Sequence, residues 1–186
     1  MTKKILFNDK YSLTQEVRYG NKTMTRRLLR DNVPLGNWEE TAKHLSYKVG
    51  EVVAIAQSYK SIYAEMIEDF AKHNYHTPRE DAAENFRKEY ENTAGWNNKM
   101  FVKAALLPHH IRITDVKVER LQEISEEDAL REGIEEFCFD YFLPNDYSKP
   151  FLMPRDAFAF LIDKVGKKGD WDKNPLVAAY TFELVD

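Results

Sequence analysis

The stretch Ile111–Leu121, IRITDVKVERL, alternates apolar and polar residues but changes phase part-way. Ile111 and Ile113 share one parity, while Val116 and Val118 share the other. Successive side chains of a β-strand point to opposite faces, so a regular strand would send one of these two pairs into water. One extra residue near Thr114–Asp115, a β-bulge, would return both pairs to one face and bend the strand. Bulged strands of this kind curl sheets toward barrels, and that constrains the fold more than any other feature of the chain.

The remaining segments fit around such a sheet. Residues 4–7, KILF, read as a short first strand. GEVVAIAQ, from Gly50 to Gln57, is continuously apolar and reads as a strand buried on both faces. NPLVAAYTFEL alternates through Leu176, Ala178, Tyr180, Phe182 and Leu184 and predicts a closing strand. Leu13 and Val17 precede Gly20 with helical spacing, so a short helix with glycine just past its end is expected. MPRDAFAFLIDKVGKKG predicts a helix from Pro154 to about Gly166. Between about Lys60 and Asn98 lies an acidic, insertion-like helical pair: Ile62, Met66 and Phe70 mark one face, and Phe86 and Tyr90 another. Thr77–Pro78 has the form of an N-cap followed by proline at the first helical position. Short strands split by helices, without a βαβ rhythm, predict an α+β fold: a small curved mixed sheet or barrel with flanking helices. Residues 1–186 are read as one domain carrying an insertion at about 60–98.

Composition excludes several classes. The single cysteine, Cys138, rules out a disulfide framework and a zinc site of paired cysteines. Lying between two phenylalanines, it is read as buried and inert. No apolar run approaches the roughly 18 residues of a membrane span, and MTKKILFNDKY lacks the core of a signal peptide. A cytoplasmic protein without a membrane partner is expected. The net charge of −4 gives no general affinity for nucleic acid, so any basic site must be local. His73 and His76 have a metal-like spacing on a helix but no evident third ligand, so no metal or other cofactor is implied.

The local basic site is easily found. Arg18, Lys22, Arg26, Arg27 and Arg30 stand within thirteen positions, uninterrupted by an acid. Such a cluster suits an anionic ligand, phosphate above all. It equally describes a solvated surface segment balanced by acids brought near in space. Thr23 and Thr25 lie inside it; their hydroxyls could hold an oxyanion or act as a nucleophile, and strand propensity is the simpler reason for them.

A second unusual residue is Glu132. EISEEDALREGI predicts a short helix from about Glu126 to Glu132, with Ser125 and Asp128 at capping-box spacing and Gly133 past the end. A carboxylate in the last turn faces the negative end of the helix dipole, which favours its protonated form and suits a general acid. Trp96, in the polar loop GWNN, could stack a base or plug the edge of a core. The aromatic run Phe137–Tyr147 suits packing better than a pocket mouth.

These blocks, in this order, resemble the ASCH family of the PUA-like superfamily, in particular its longer phage- and prophage-type members. GNKTMTRR, from Gly20 to Arg27, is similar to the pattern G-x-K-x-x-T-x-R. YKVGEVVAI is similar to a strand entered by a Gly-acid turn. IRITDVKVERLQEISEEDALREGI is similar to a strand-then-helix unit ending in glutamate and a small residue. The resemblance covers about half the chain. It implies a small PUA-like β-barrel with a cleft between barrel and helices. The superfamily mostly binds RNA or nucleotides, and some small members remove the acyl group from N4-acylated cytidines. Carried across by motif, the catalytic positions are Lys22, Thr25 and Glu132, with the motif arginine at Arg27.

Three functions compete. Ranked first is a binding module for RNA, a nucleotide or a modified nucleoside, with Arg18, Arg26, Arg27 and Arg30 on phosphates and Trp96 on a base. Second is an amidohydrolase in which Lys22 deprotonates Thr25 or water and Glu132 protonates the departing amine. Third is a phage-related interaction protein without a small ligand. The sequence does not set the oligomeric state.

Overall fold

The structure, a computed structural model, describes residues 3–73 and 78–185. By internal contacts the chain divides into two compact units: residues up to Phe7 with Val53–His110, and Asn8–Val52 with Ile111–Val185.

In the first unit β1 (Lys4–Ile5) runs parallel to β3 (Val52–Ile55), with Ile5 opposite Ile55. Val53, Ala54, Ile55 and Ala56 are fully buried, as the unbroken apolar run requires. The expected helical pair is present as α3 (Tyr59–His73) and α4 (Pro78–Tyr90), which pack on one another. The expected cap at Thr77 lies outside the described residues. Ala54, Tyr59, Ile62, Val102 and Leu107 form the core here, with Phe86, Tyr90 and Trp96 packed against it. Tyr59 stacks on Tyr90 at 4.2 Å. A Cβ on Gly95 would meet the Tyr59 ring at 2.4 Å, so only glycine fits that close approach. The Lys4 ammonium donates to the carbonyls of Lys99, Met100 and Val102, tying β1 to the 99–102 segment.

The second unit is built on β8 (Leu176–Leu184), flanked on both sides by antiparallel partners, β2 (Met24–Leu28) and β4 (His110–Arg120). The β4 register shifts between Ile113 and Asp115, so the bulge is where the phase change requires it. Ile111, Ile113 and Val116 are accordingly all buried. The helices of this unit are α1 (Leu13–Arg18), α2 (Trp38–His44), α5 (Glu126–Arg131) and α6 (Pro154–Val165). A second, three-stranded antiparallel sheet follows α5: β5 (Glu135–Phe137), β6 (Asp140–Leu143) and β7 (Asp146–Phe151).

The class is thus α+β, with strand pairs of both senses. Among the described residues the strand pairings of neither unit close into a barrel. In the aromatic run Phe142 and Leu143 are buried, and Phe137 and Phe142 pack on Tyr147, but the expectation for Cys138 needs correction: the β5–β6 turn holds Cys138 and Phe139 at positive φ of 52° and 70°. Cys138 is exposed, not buried, because the tight turn lifts both residues off the sheet. No helix among the described residues is long and apolar enough to cross a membrane.

Candidate functional site: a buried charge cluster

The cluster lies wholly in the second unit, and strand register explains how it forms. Arg26 on β2 lies opposite Ala179 on β8, and Ala179 lies opposite Lys117 on β4. Residues directly opposite share a face, so Arg26, Lys117 and Glu119 project to one side. Ala179 has no side chain beyond Cβ, and the long side chains of β2 and β4 meet above it. Arg26 reaches Glu119 at 2.7 Å, and Lys117 reaches Glu119 at 3.0 Å.

Helix α5 supplies the remaining groups. The Ser125 hydroxyl accepts from the Asp128 amide at 3.1 Å and starts the helix, as the capping-box spacing predicts. Asp128 then accepts from Arg26 at 2.8 Å and Lys117 at 2.9 Å. Glu132 is the C-cap, followed by Gly133 at φ 102°. The Gly20–Thr23 segment docks on this helix end: the Thr23 amide donates to the Arg131 carbonyl at 2.9 Å. Lys22 donates to the Glu132 carbonyl at 2.7 Å and to its carboxylate at 2.6 Å. The second Glu132 oxygen accepts from Arg26 at 3.1 Å. A cation on the last carbonyls of a helix complements its dipole, and here two cations offset the unfavourable placement of Glu132.

Lys22 and Glu132 are 2% and 4% exposed, so both ends of this ion pair are out of water. Burial pulls the Lys22 ammonium well below the ordinary lysine range; Glu132 works against that, and Arg27 and Arg26 work with it. Burial also opposes the Arg26 charge, but Glu132, Glu119 and Asp128 outweigh it and strengthen its hold on the proton. Burial alone would raise the Asp128 carboxyl, yet Lys117 and Arg26 bring it below the usual range. Lys22, Arg26, Lys117 and Arg131 thus engage the carboxylates of Glu119, Asp128 and Glu132.

Of the residues the motif singles out, Lys22 and Glu132 meet directly across 110 positions of sequence. Thr25 does not join them. It lies opposite Tyr180, and strand alternation places it with Arg27 on the face away from Arg26. Its hydroxyl bonds to neither Lys22 nor Glu132. Of the other cations, Arg27 is half-buried near Tyr47 and Tyr180, and burial lowers its pKa from the ordinary arginine value. Arg27 and Arg30 line a small pocket with His44, Ser46 and Tyr180. Arg18 ends α1. Trp96 belongs to the first unit, its ring 5.9 Å from that of Tyr63. Sequence reading passed over Lys117 and Glu119 and read Asp128 only as a capping-box residue. The signal for the first two was the post-bulge parity, which sets Lys117 and Glu119 opposite Val116 and Val118, but their register against Arg26 is a tertiary fact. No group of three or more potential metal ligands occurs among the described residues.

No family model matches the chain, and no curated protein matches it in sequence. Among solved structures it is similar to protein EF3133 from Enterococcus faecalis V583, of family DUF984. That match has 15% identity and a TM-score of 0.44, covering 100% of this chain and 82% of the other. A likeness of that degree carries no weight for function.

Proposed function

We propose that the second unit binds a small nucleoside-type ligand at the Lys22–Glu132 pair and hydrolyses an exocyclic amide on its base, as in N4-acylcytidine. The observation that carries this is the 2.6 Å contact between a buried lysine drawn toward its neutral form and a carboxylate held by a second cation. Burying such a pair costs several kcal/mol per ion before attraction repays it, so it is a poor way to gain stability alone. It is a good way to move a proton.

In the proposed reaction a water attacks the acyl carbon while the neutral Lys22 amine takes its proton. The proton passes along the existing bond to the Glu132 carboxylate. When the carbon–nitrogen bond breaks, Glu132 delivers it to the departing amine, giving a carboxylic acid and the free nucleoside. Arg26 keeps Glu132 oriented throughout. With Thr25 on the other strand face, water is the nucleophile in this scheme. Because both groups are covered, turnover requires substrate and water to displace that cover while the Lys22–Glu132 bond is kept. The ASCH resemblance and its PUA-like barrel belong to this proposal.

A second reading, binding without reaction at a surface, draws on the neighbouring cations Arg27 and Arg30, the latter exposed; the recess they share, about 10 Å³, is too small to enclose a base. Arg26 is unsuited to phosphate binding, since three carboxylates already engage it. The test is incubation with N4-acetylcytidine, following release of acetate and cytidine. Turnover that Glu132→Gln removes supports hydrolysis. Tight cytidine-analogue binding without turnover, lost in Arg30→Glu, supports binding alone.

A further inference from the structure

A separate cavity of about 540 Å³ opens elsewhere in the second unit, between the start of α1, the β6–β7 turn and α6. Its size falls within the range that holds small organic ligands. The floor is apolar, made by the buried Tyr11, Leu143 and Pro144 with the half-buried Phe160. The rim is cationic: Lys10, Lys149 and Lys164, with Asp146 the single acid of the lining.

The three ammoniums are held in an unusual way. None forms an ion pair among the described residues. Lys149 rests 4.1 Å and Lys164 4.9 Å from the centroid of the same Phe160 ring. Lys10 lies 5.4 Å from the Tyr11 ring. Aromatic faces are weak partners for cations at exposed positions, about 0.5–1 kcal/mol each, and a dianion would displace them easily. Asp146 accepts from the Ser148 amide at 3.1 Å and also attracts Lys164, so one carboxylate stands against the three ammoniums. The turn carrying Asn145 is firmly set, with φ 55° and its amide bonded to Glu135 at 2.8 Å. Three like charges around an apolar floor with a single carboxylate repel one another until an anion binds.

We infer that this cavity is a binding site for a small organic phosphate, with the phosphate on Lys10, Lys149 and Lys164 and the organic part on the Tyr11–Phe160 floor. A phosphate monoester carries close to two negative charges at neutral pH and matches three lysines against one aspartate. Lysine serves phosphate well as a point charge. Displacing the two ammoniums from Phe160 frees the ring for a planar group. The site is independent of the Lys22–Glu132 pair and of any reaction there.

The test is calorimetric titration of the intact chain with cytidine 5′-monophosphate, cytidine and inorganic phosphate. Cytidine 5′-monophosphate should bind at least tenfold more tightly than either other probe. Lys149→Gln with Lys164→Gln should weaken it at least tenfold, and these exposed changes should leave the far-ultraviolet spectrum unaltered. Phe160→Leu, nearly equal in volume, should weaken the nucleotide but not inorganic phosphate. The inference is overturned if the nucleotide does not bind, if the double variant binds it unchanged, or if inorganic phosphate binds as tightly as the nucleotide.

Discussion

Replacing Lys22 with methionine keeps most of the buried stem and removes the amine and its bonds. Two bonds are lost, at 2.6 Å to the Glu132 carboxylate and at 2.7 Å to its carbonyl. A hydrogen bond to a charged group contributes about 1.5–3 kcal/mol and one to a neutral carbonyl about 1 kcal/mol. Glu132 keeps Arg26 at 3.1 Å, so it is not wholly abandoned. The cost therefore falls near 3 kcal/mol, at the lower end of the 3–5 kcal/mol typical of breaking a buried pair. This differs from the small cost of losing a surface lysine, because Lys22 is not on the surface. Adding Glu132→Gln to Lys22→Met relieves the leftover charge, so the double variant should be more stable than the two single costs imply, by about 1–2 kcal/mol. Urea denaturation followed by circular dichroism measures all four proteins of the cycle. A Lys22→Met cost below about 0.5 kcal/mol, or a coupling near zero, would falsify the buried pair.

Three further outcomes are expected. Arg26→Leu should destabilise by about 3–5 kcal/mol, since it strips a cation from three carboxylates, while the exposed Arg30→Gln should stay within about 0.5 kcal/mol; thermal melts compare them. Asp128 has a folded pKa below its unfolded value, so its contribution is full above about pH 4 and lost as pH falls through the lower folded value; Asp128→Asn should flatten the acid limb of a stability–pH curve. Trp96→Ala should lower stability by about 2 kcal/mol, less than the roughly 3–5 kcal/mol of a fully buried tryptophan because Trp96 is half-buried, and leave N4-acetylcytidine turnover unchanged.

Much of the fold was legible because it follows from local rules. The bulge at Thr114–Asp115, the Ser125 cap, the glycine after α1 and the helix from Pro154 each carry a short-range signature. The Asn37 cap of α2 carries one too, its side chain accepting from the Glu39 amide, but the polar surroundings concealed it. The strands of the β5–β6–β7 sheet are hidden in the sequence because their turn needs Cys138 and Phe139 at positive φ, which neither residue advertises. Lys22 and Glu132 were legible as individuals, one by motif and one by its position against the helix dipole. That Arg26 would turn inward while Thr25 turned away depends on register against Ala179 and Tyr180, which one strand's sequence does not contain.

The central claim is that the Lys22–Glu132 pair moves a proton during amide hydrolysis, and turnover of N4-acetylcytidine by the wild-type chain and by Glu132→Gln tests it most directly. General acid–base catalysis supplies about 10²- to 10⁴-fold in rate, so Glu132→Gln should lower kcat by at least 10²-fold while KM changes little. The wild-type rate should also rise with pH through the lowered Lys22 pKa, reaching its plateau below the ordinary lysine range. A folded wild-type protein that releases no cytidine, or a Glu132→Gln variant that releases it at the wild-type rate, contradicts the account.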